Sequence, residues 1–194
     1  MLWQRTTPAE ARRMPWKNGL GMTLELAVQP PGATLETGFL WRLSSAEVAA
    51  SGPFSAFPGR ERWLLLLAGA GFRVELGERG SVVLDEPLVP LRFSGDWPAT
   101  VTLLEGPCLD LNLMVDPARC QVELQVLHPA AELSLALAAG THLVFVAAGG
   151  LSVPRWNLHL GPSHLLRVED CPAELTLMPD PGGVSLVWIH LEQL

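Results

Sequence analysis

The sequence predicts a mostly β protein built from two similar β-rich units, on three observations. Glycine and proline are abundant, at 18 and 17 residues, while charged residues make up 17% and apolar ones 48%. That mixture suits many short strands joined by tight turns rather than long helices. Apolar runs, continuous or alternating, recur between turns that contain glycine. The two halves of the chain also resemble each other. A chain of 194 residues buries roughly two-thirds or more of its unfolded surface, so a sizeable core is expected.

The repeat emerges when "WLLLLAGAGFRV" (63–74) is laid against "HLVFVAAGGLSV" (142–153), each an apolar strand, a small-residue turn and an alternating strand. Further on, "LRFSGDWPA" (91–99) matches "LRVEDCPA" (166–173) with one gap, and the terminal runs "GPCLDLNLMV" and "GGVSLVWIHL" follow in the same order. Conserved order at this period predicts a duplicated β-barrel or sandwich. Asp116 and Pro117 in "MVDPARC" break the strand pattern, which places the first unit at residues 1–118 and the second at 119–194. Helical character is expected only over residues 46–50, 7–12 or 130–139.

Along the first unit, "MPWKNGLGMTLEL" (14–26) puts Pro15, Trp16, Lys17, Asn18, Gly19 and Gly21 at the lip of a strand. Proline stiffens such a loop, tryptophan anchors it, and glycine lets backbone approach a ligand or another strand. In the strand that follows, Met22, Leu24, Leu26 and Val28 are assigned to one face, and Thr23 and Glu25 to the other. In "FLWRLSS" Arg42 and Ser44 oppose Trp41 and Leu43, and in "LDLNLM" Asp110 and Asn112 oppose Leu109, Leu111 and Leu113. Such a set can satisfy itself around a small polar ligand rather than merely wet an outer face. The repeat is read as setting Ser185 and Val187 where the first unit has Asp110 and Asn112, so the first unit is expected to bind and the second to support it. The loop "SGPFSAFPGRERW" adds Phe54 and Phe57, then Arg60 and Arg62, which two-residue spacing directs toward the same mouth.

Other functions find less support. A net charge of −7 without a Lys/Arg run leaves no field for nucleic acid. No apolar stretch reaches the length of a membrane span, and the N-terminal segment has no apolar signal core, so a cytoplasmic protein is expected. The three cysteines, Cys108, Cys120 and Cys171, lack a CxxC spacing and read as reduced thiols. All five histidines lie in the second half without an HxH pair, so neither a metal nor another cofactor is expected. No GxSxG elbow accompanies a serine or cysteine nucleophile, and the glycines at residues 19 and 21 lead into a strand rather than a phosphate-binding helix. Acid/base chemistry by Glu25 or Asp110 stands as the alternative to binding; the same carboxylates can instead hold Lys17, Arg42 and Arg62 in ion pairs.

The motifs "MPWKNGLGMTLEL", "WRLSSAEVAASGPFSAFPGRERWLLLLAGAG" and "LLEGPCLDLNLM", in that order over residues 14–114, resemble the HutD/Ves family. The resemblance implies a duplicated cupin-like barrel of the double-stranded β-helix type, a bicupin in one chain. It also implies an accessory protein of histidine utilisation that binds a small anionic metabolite such as urocanate or formylglutamate. By matching position, its pocket would contain Trp16, Lys17, Asn18, Thr23, Glu25, Arg42, Arg62, Asp110 and Asn112. Phe54 would join Trp16 in closing the lid, with Lys17, Arg42 and Arg62 holding the anion. Leu20, Leu24 and Ser51 depart from the family's usual glycine, arginine and acidic residue, which bears on ligand identity. A homodimer joined through sheet edges is compatible with such a fold.

Overall fold

The computed structural model describes residues 2–16, 21–34, 36–169 and 173–194. Two compact units divide the chain: Ala11–Arg119, and Cys120–Leu194 together with the N-terminal stretch to Glu10. The opening strand β1 (Leu2–Thr6) belongs to the second unit, where it pairs antiparallel with β16 (Leu165–Glu169).

The first unit holds β2 (Arg12–Pro15), β3 (Gly21–Gln29), β4 (Trp41–Val48), β5 (Gly52–Pro53), β6 (Glu61–Ala68), β7 (Phe72–Glu75), β8 (Ser81–Leu84), β9 (Leu91–Ser94), β10 (Thr100–Leu103) and β11 (Cys108–Val115). They form a six-stranded sheet in the order β2-β3-β4-β11-β6-β9 and a four-stranded sheet in the order β5-β10-β7-β8. Val48, Leu64, Leu66, Phe72, Val74, Phe93 and Val101 come from both sheets into one buried cluster. Leu43, Leu65, Leu111 and Leu113, which alternate with the inward set, are also fully buried. The central strands are therefore covered on both faces, and the polar residues that alternate with these leucines do not form a wet outer surface.

The second unit adds β12 (Cys120–Leu127), β13 (Leu133–Leu137), β14 (Thr141–Val153), β15 (Leu158–Leu160) and β17 (Ala173–Gln193). Its order β12-β17-β14-β16 repeats β4-β11-β6-β9 of the first unit. β13 on the early part of β17, and β15 on the late part of β14, repeat the smaller sheet. Here two long strands do the work of the pairs β10/β11 and β6/β7. They bend where the β14/β17 register slips, between Val146 and Ala148 and between Gly149 and Leu151. Gly149 has φ +74°, and a Cβ there would run into the Gly183 carbonyl.

The structure corrects the sequence reading in several places. Residues 46–48 end β4 and residues 133–137 form β13; the alternating burial of Leu133–Leu137 is that of a strand, which its alanine and leucine content had masked. Residues 7–11 are a turn and Arg12 opens β2. Among the described residues, the helical turns are two short 3-10 segments, Gly77–Arg79 and Pro154–Trp156. A β-bulge between Glu25 and Ala27 changes the phase of β3, so that Val28 lies opposite Arg42 on the face of Thr23 and Glu25. The repeat also shifts by one. Ala68 pairs with Leu109 and Ala148 with Ser185, so the counterparts of Asp110, Asn112 and Arg62 are Leu186, Trp188 and His142, the first two one residue beyond Ser185 and Val187 in the last strand.

Candidate functional site

Cross-strand register assembles the site. Thr23, Ala46, Asp110 and Leu66 lie in one row across β3, β4, β11 and β6. Glu25, Ser44, Asn112 and Leu64 form the next row, and Val28, Arg42, Met114 and Arg62 the one after. All lie on the face that carries Leu64, Leu66 and Phe93 into the barrel core. The strand pleat thus turns Thr23, Glu25, Arg42, Arg62, Asp110 and Asn112 inward together.

The lip packs over this face. Trp16 Nε1–H donates to Thr23 Oγ1 at 2.8 Å, and the ring meets Phe54 edge-on at 6.2 Å between centroids. Gly21 makes room for that ring: a Cβ on it would lie 2.8 Å from Trp16 Cδ2 and 2.5 Å from the Glu47 carbonyl oxygen. Lys17 and Asn18 lie outside the described residues.

The predicted charges divide into two groups. Arg42 Nε donates to Glu25 Oε2 at 2.8 Å, with both side chains under 10% exposed. Arg12 stands 3.7 Å from the other Glu25 oxygen, and Arg42 Nη2 rests 3.8 Å from Met14 Sδ. This subset is internally neutralised. Arg62 and Asp110 are different. They are 3% and 2% exposed and form no ion pair within 4.0 Å among the described residues, where Arg62 Nε, Asp110 Oδ1 and Asn112 Oδ1 are all buried without a hydrogen-bond partner. The Arg62 guanidinium is held instead by aromatic faces, those of Phe54 (5.4 Å), Phe57 (5.2 Å) and Phe93 (4.9 Å), and by a long bond to the Ser55 carbonyl at 3.5 Å. Burial pushes its pKa down to about 10, partly offset by the Asp110 charge, and it stays cationic at neutral pH. Burial pushes the Asp110 carboxyl up to about 7, against the opposing pull of Arg62 and of the Ala46 backbone amide.

Two of the cage residues, Phe57 and Phe93, escaped the site prediction. Phe57 was visible in the quoted loop; Phe93 is opposite Arg62 only through the β6/β9 register, which no local pattern reveals. Arg60 does not accompany Arg62. It precedes β6, outside the alternation, and sits over Phe39 at 5.1 Å, paired with Asp116 at 3.4 Å. It borders a cleft of about 360 Å³ together with Glu61, Arg92, Asp96 and Trp97, whose arginines are both in ion pairs.

The second barrel lacks this chemistry. Its interior is Val144, Val146, Leu166, Val168, Leu186 and Trp188 with neighbouring leucines. At its end the rings of His142, Trp188 and His190 lie near-parallel in one cluster, His142 at 5.8 Å from Trp188 and 4.4 Å from His190, and Trp188 at 6.4 Å from His190. Both imidazoles donate Nε2–H to carbonyls, of Ala138 at 3.0 Å and Ala139 at 2.8 Å, which leaves His142 Nδ1 and Trp188 Nε1 unpartnered. Burial lowers the His142 pKa. Among the described residues no group of three His, Cys, Asp or Glu converges as a metal site, and no helix is long and apolar enough to cross a membrane.

Paired sheets with a polar group set inside one barrel define a class, the cupin-like β proteins. The fold agrees with the bacterial pirin YhhW from Escherichia coli, solved with nickel(II), at TM-score 0.68 over 97% of this chain and 98% of that one, although identity is only 10%. The chain belongs to the HutD family, whose model matches residues 8–184. It is 38% identical over 156 residues to an uncharacterised 21.2 kDa protein of Pseudomonas putida from the region 3' of hutC, spanning 76% of this chain and 78% of that protein. Among solved structures, HutD from Pseudomonas fluorescens SBW25 is 32% identical with TM-score 0.84, covering all of both chains. A conserved protein of unknown function from Pseudomonas aeruginosa PAO1 is 31% identical with TM-score 0.90, covering 99% and 100%.

Proposed function

We propose that the first of two cupin-like barrels is a receptor for a small carboxylate metabolite of histidine breakdown, such as urocanate or formylglutamate. The protein is read as a cytoplasmic binding or regulatory protein. The observation that carries this reading is Arg62: a buried, permanently charged guanidinium whose Nε has no acceptor. An unpaired charge in a dry interior is costly, and an anionic ligand supplies the missing partner. Arg42, bound to Glu25, supports the wall and leaves the anion to Arg62. Asp110 and Asn112 face the remainder of the ligand, and Trp16 and Phe54 close over it.

Titration calorimetry of the wild type and Arg62→Gln with urocanate and with N-formylglutamate tests this. Charge-assisted hydrogen bonds contribute about 1.5 to 3 kcal/mol, so the variant should bind about tenfold to a hundredfold more weakly. Equal affinities would remove Arg62 from the site.

One observation favours a second reading, acid/base catalysis: an Asp110 carboxyl near pKa 7 is matched to proton transfer at neutral pH. Glu25 is instead held by two arginines. Turnover of either metabolite that disappears in Asp110→Asn while binding survives would select this reading.

A further inference from the structure

We infer that the ligand of this site is a carboxylate that also carries an N–H or O–H donor, and that it binds together with one proton taken up at Asp110. This rests on the receptor reading above and goes beyond it by specifying the hydrogen-bonding complement of the ligand and its linkage to pH.

The three unpartnered atoms differ in what they need. Arg62 Nε–H is a donor and calls for an anionic oxygen. Asn112 Oδ1 is an acceptor and calls for an N–H or O–H. Arg62 lies across from Met114, and Asp110 is four positions from Met114 on β11, which separates their backbones by about 13 Å along the strand. Asn112 lies between them. A ligand reaching from the cation toward Asp110 therefore passes Asn112, and a bare carboxylate would leave the Asn112 acceptor unsatisfied. An ionised Asp110 would then face the arriving anion in the same buried surroundings, where like charges cannot both be kept. A protonated Asp110 instead becomes a donor to a ligand oxygen, with the proton drawn from solvent.

The charged and titratable groups facing Asp110 are consistent with this. Cys108 shares its strand and face; Arg62 on β6 is the one unpaired cation among the described residues of the face. Arg42 on β4, Glu25 on β3 and Arg12 on β2 form the neutralised cluster. The smaller sheet contributes Phe72, Val74 and Val101. In the free protein the burial of Asp110 already raises its pKa to about 7, so the added anion acts on a group at its midpoint near neutrality.

The test uses N-formylglutamate, whose carboxylates stay ionised between pH 6 and 9, roughly two units or more above ordinary carboxyl values. Calorimetry at pH 8 in two buffers of different ionisation enthalpy should show uptake approaching one proton per ligand. Affinity should be near constant below pH 6 and fall by up to about tenfold per pH unit above pH 7. Asp110→Asn, whose amide donates where the carboxylic acid would, should bind with a flat pH profile. Glutarate, which lacks the N–H, should bind at least about tenfold more weakly. Zero proton uptake with intact binding overturns the proton linkage and leaves the receptor reading standing. Equal affinity for glutarate overturns the donor requirement. No binding of any probe at any pH overturns the receptor reading and this inference with it. The wild-type measurements hold whether or not the variant folds.

Discussion

Asp110 makes the stability of the free protein depend on pH in an unusual direction. Its carboxyl lies at about 7 when folded, against 3.8 for an ordinary aspartate, because burial penalises the charged form more than Arg62 and the Ala46 amide favour it. Between those values the folded state holds a proton that the unfolded chain has released, so the stabilisation is complete below pH 4 and is lost as pH rises through 7. The slope is about 1.4 kcal/mol per pH unit. From pH 5 to pH 8 the wild type should therefore lose about 3 kcal/mol relative to Asp110→Asn, which has no proton to lose. His142 and His164, both lowered by burial, act oppositely: the folded state resists their protonation, so they add stability as pH rises toward 6.5. The difference between wild type and variant removes their common contribution. Urea denaturation of both proteins at each half pH unit measures it, and parallel profiles would refute the assignment of a raised pKa to Asp110.

Three further outcomes follow from the packing. Arg42→Met strands Glu25 in a buried site beside only the exposed Arg12, and should cost about 3 kcal/mol by urea denaturation, whereas Glu25→Gln combined with Arg42→Met should cost much less; equal losses would mean the pair is not coupled. Gly21→Ala drives a methyl into the Trp16 ring and the Glu47 carbonyl, so it should alter tryptophan fluorescence and weaken N-formylglutamate binding together; an unchanged spectrum would contradict the packing of the lip. Trp188→Phe keeps an aromatic ring against His142 but removes a buried donor with no partner, and should leave stability unchanged or raise it by about 1 kcal/mol. A melting temperature lowered by several degrees would show that Trp188 Nε1 is satisfied.

Much of the fold was readable from period and punctuation. Alternation in "LDLNLM" and "WRLSS" assigned Asp110, Asn112, Arg42 and Ser44 to one face correctly, because those strands run without interruption beside each other. Alternation failed at Val28, where a bulge adds a residue that sequence spacing does not display; the repeat match was one residue out of step in its last strand, although β11 and β17 keep the same register against β6 and β14. Arg60 failed for a related reason: it lies before the strand begins, so its direction is set by Phe39 and Asp116 rather than by the pleat. Which arginine is neutralised and which is left bare was not readable either. Arg42 and Arg62 are alike in sequence context, and only the register that sets Arg42 beside Glu25 and Arg62 beside Phe93 separates them.

The most direct measurement is a crystal structure of the protein grown with N-formylglutamate. A ligand carboxylate within hydrogen-bonding distance of Arg62 Nε, with the rest of the molecule passing Asn112 toward Asp110, is the predicted result. Density confined to the cleft bordered by Arg60, Arg92 and Trp97, with ordered water alone beside Arg62, would contradict the account.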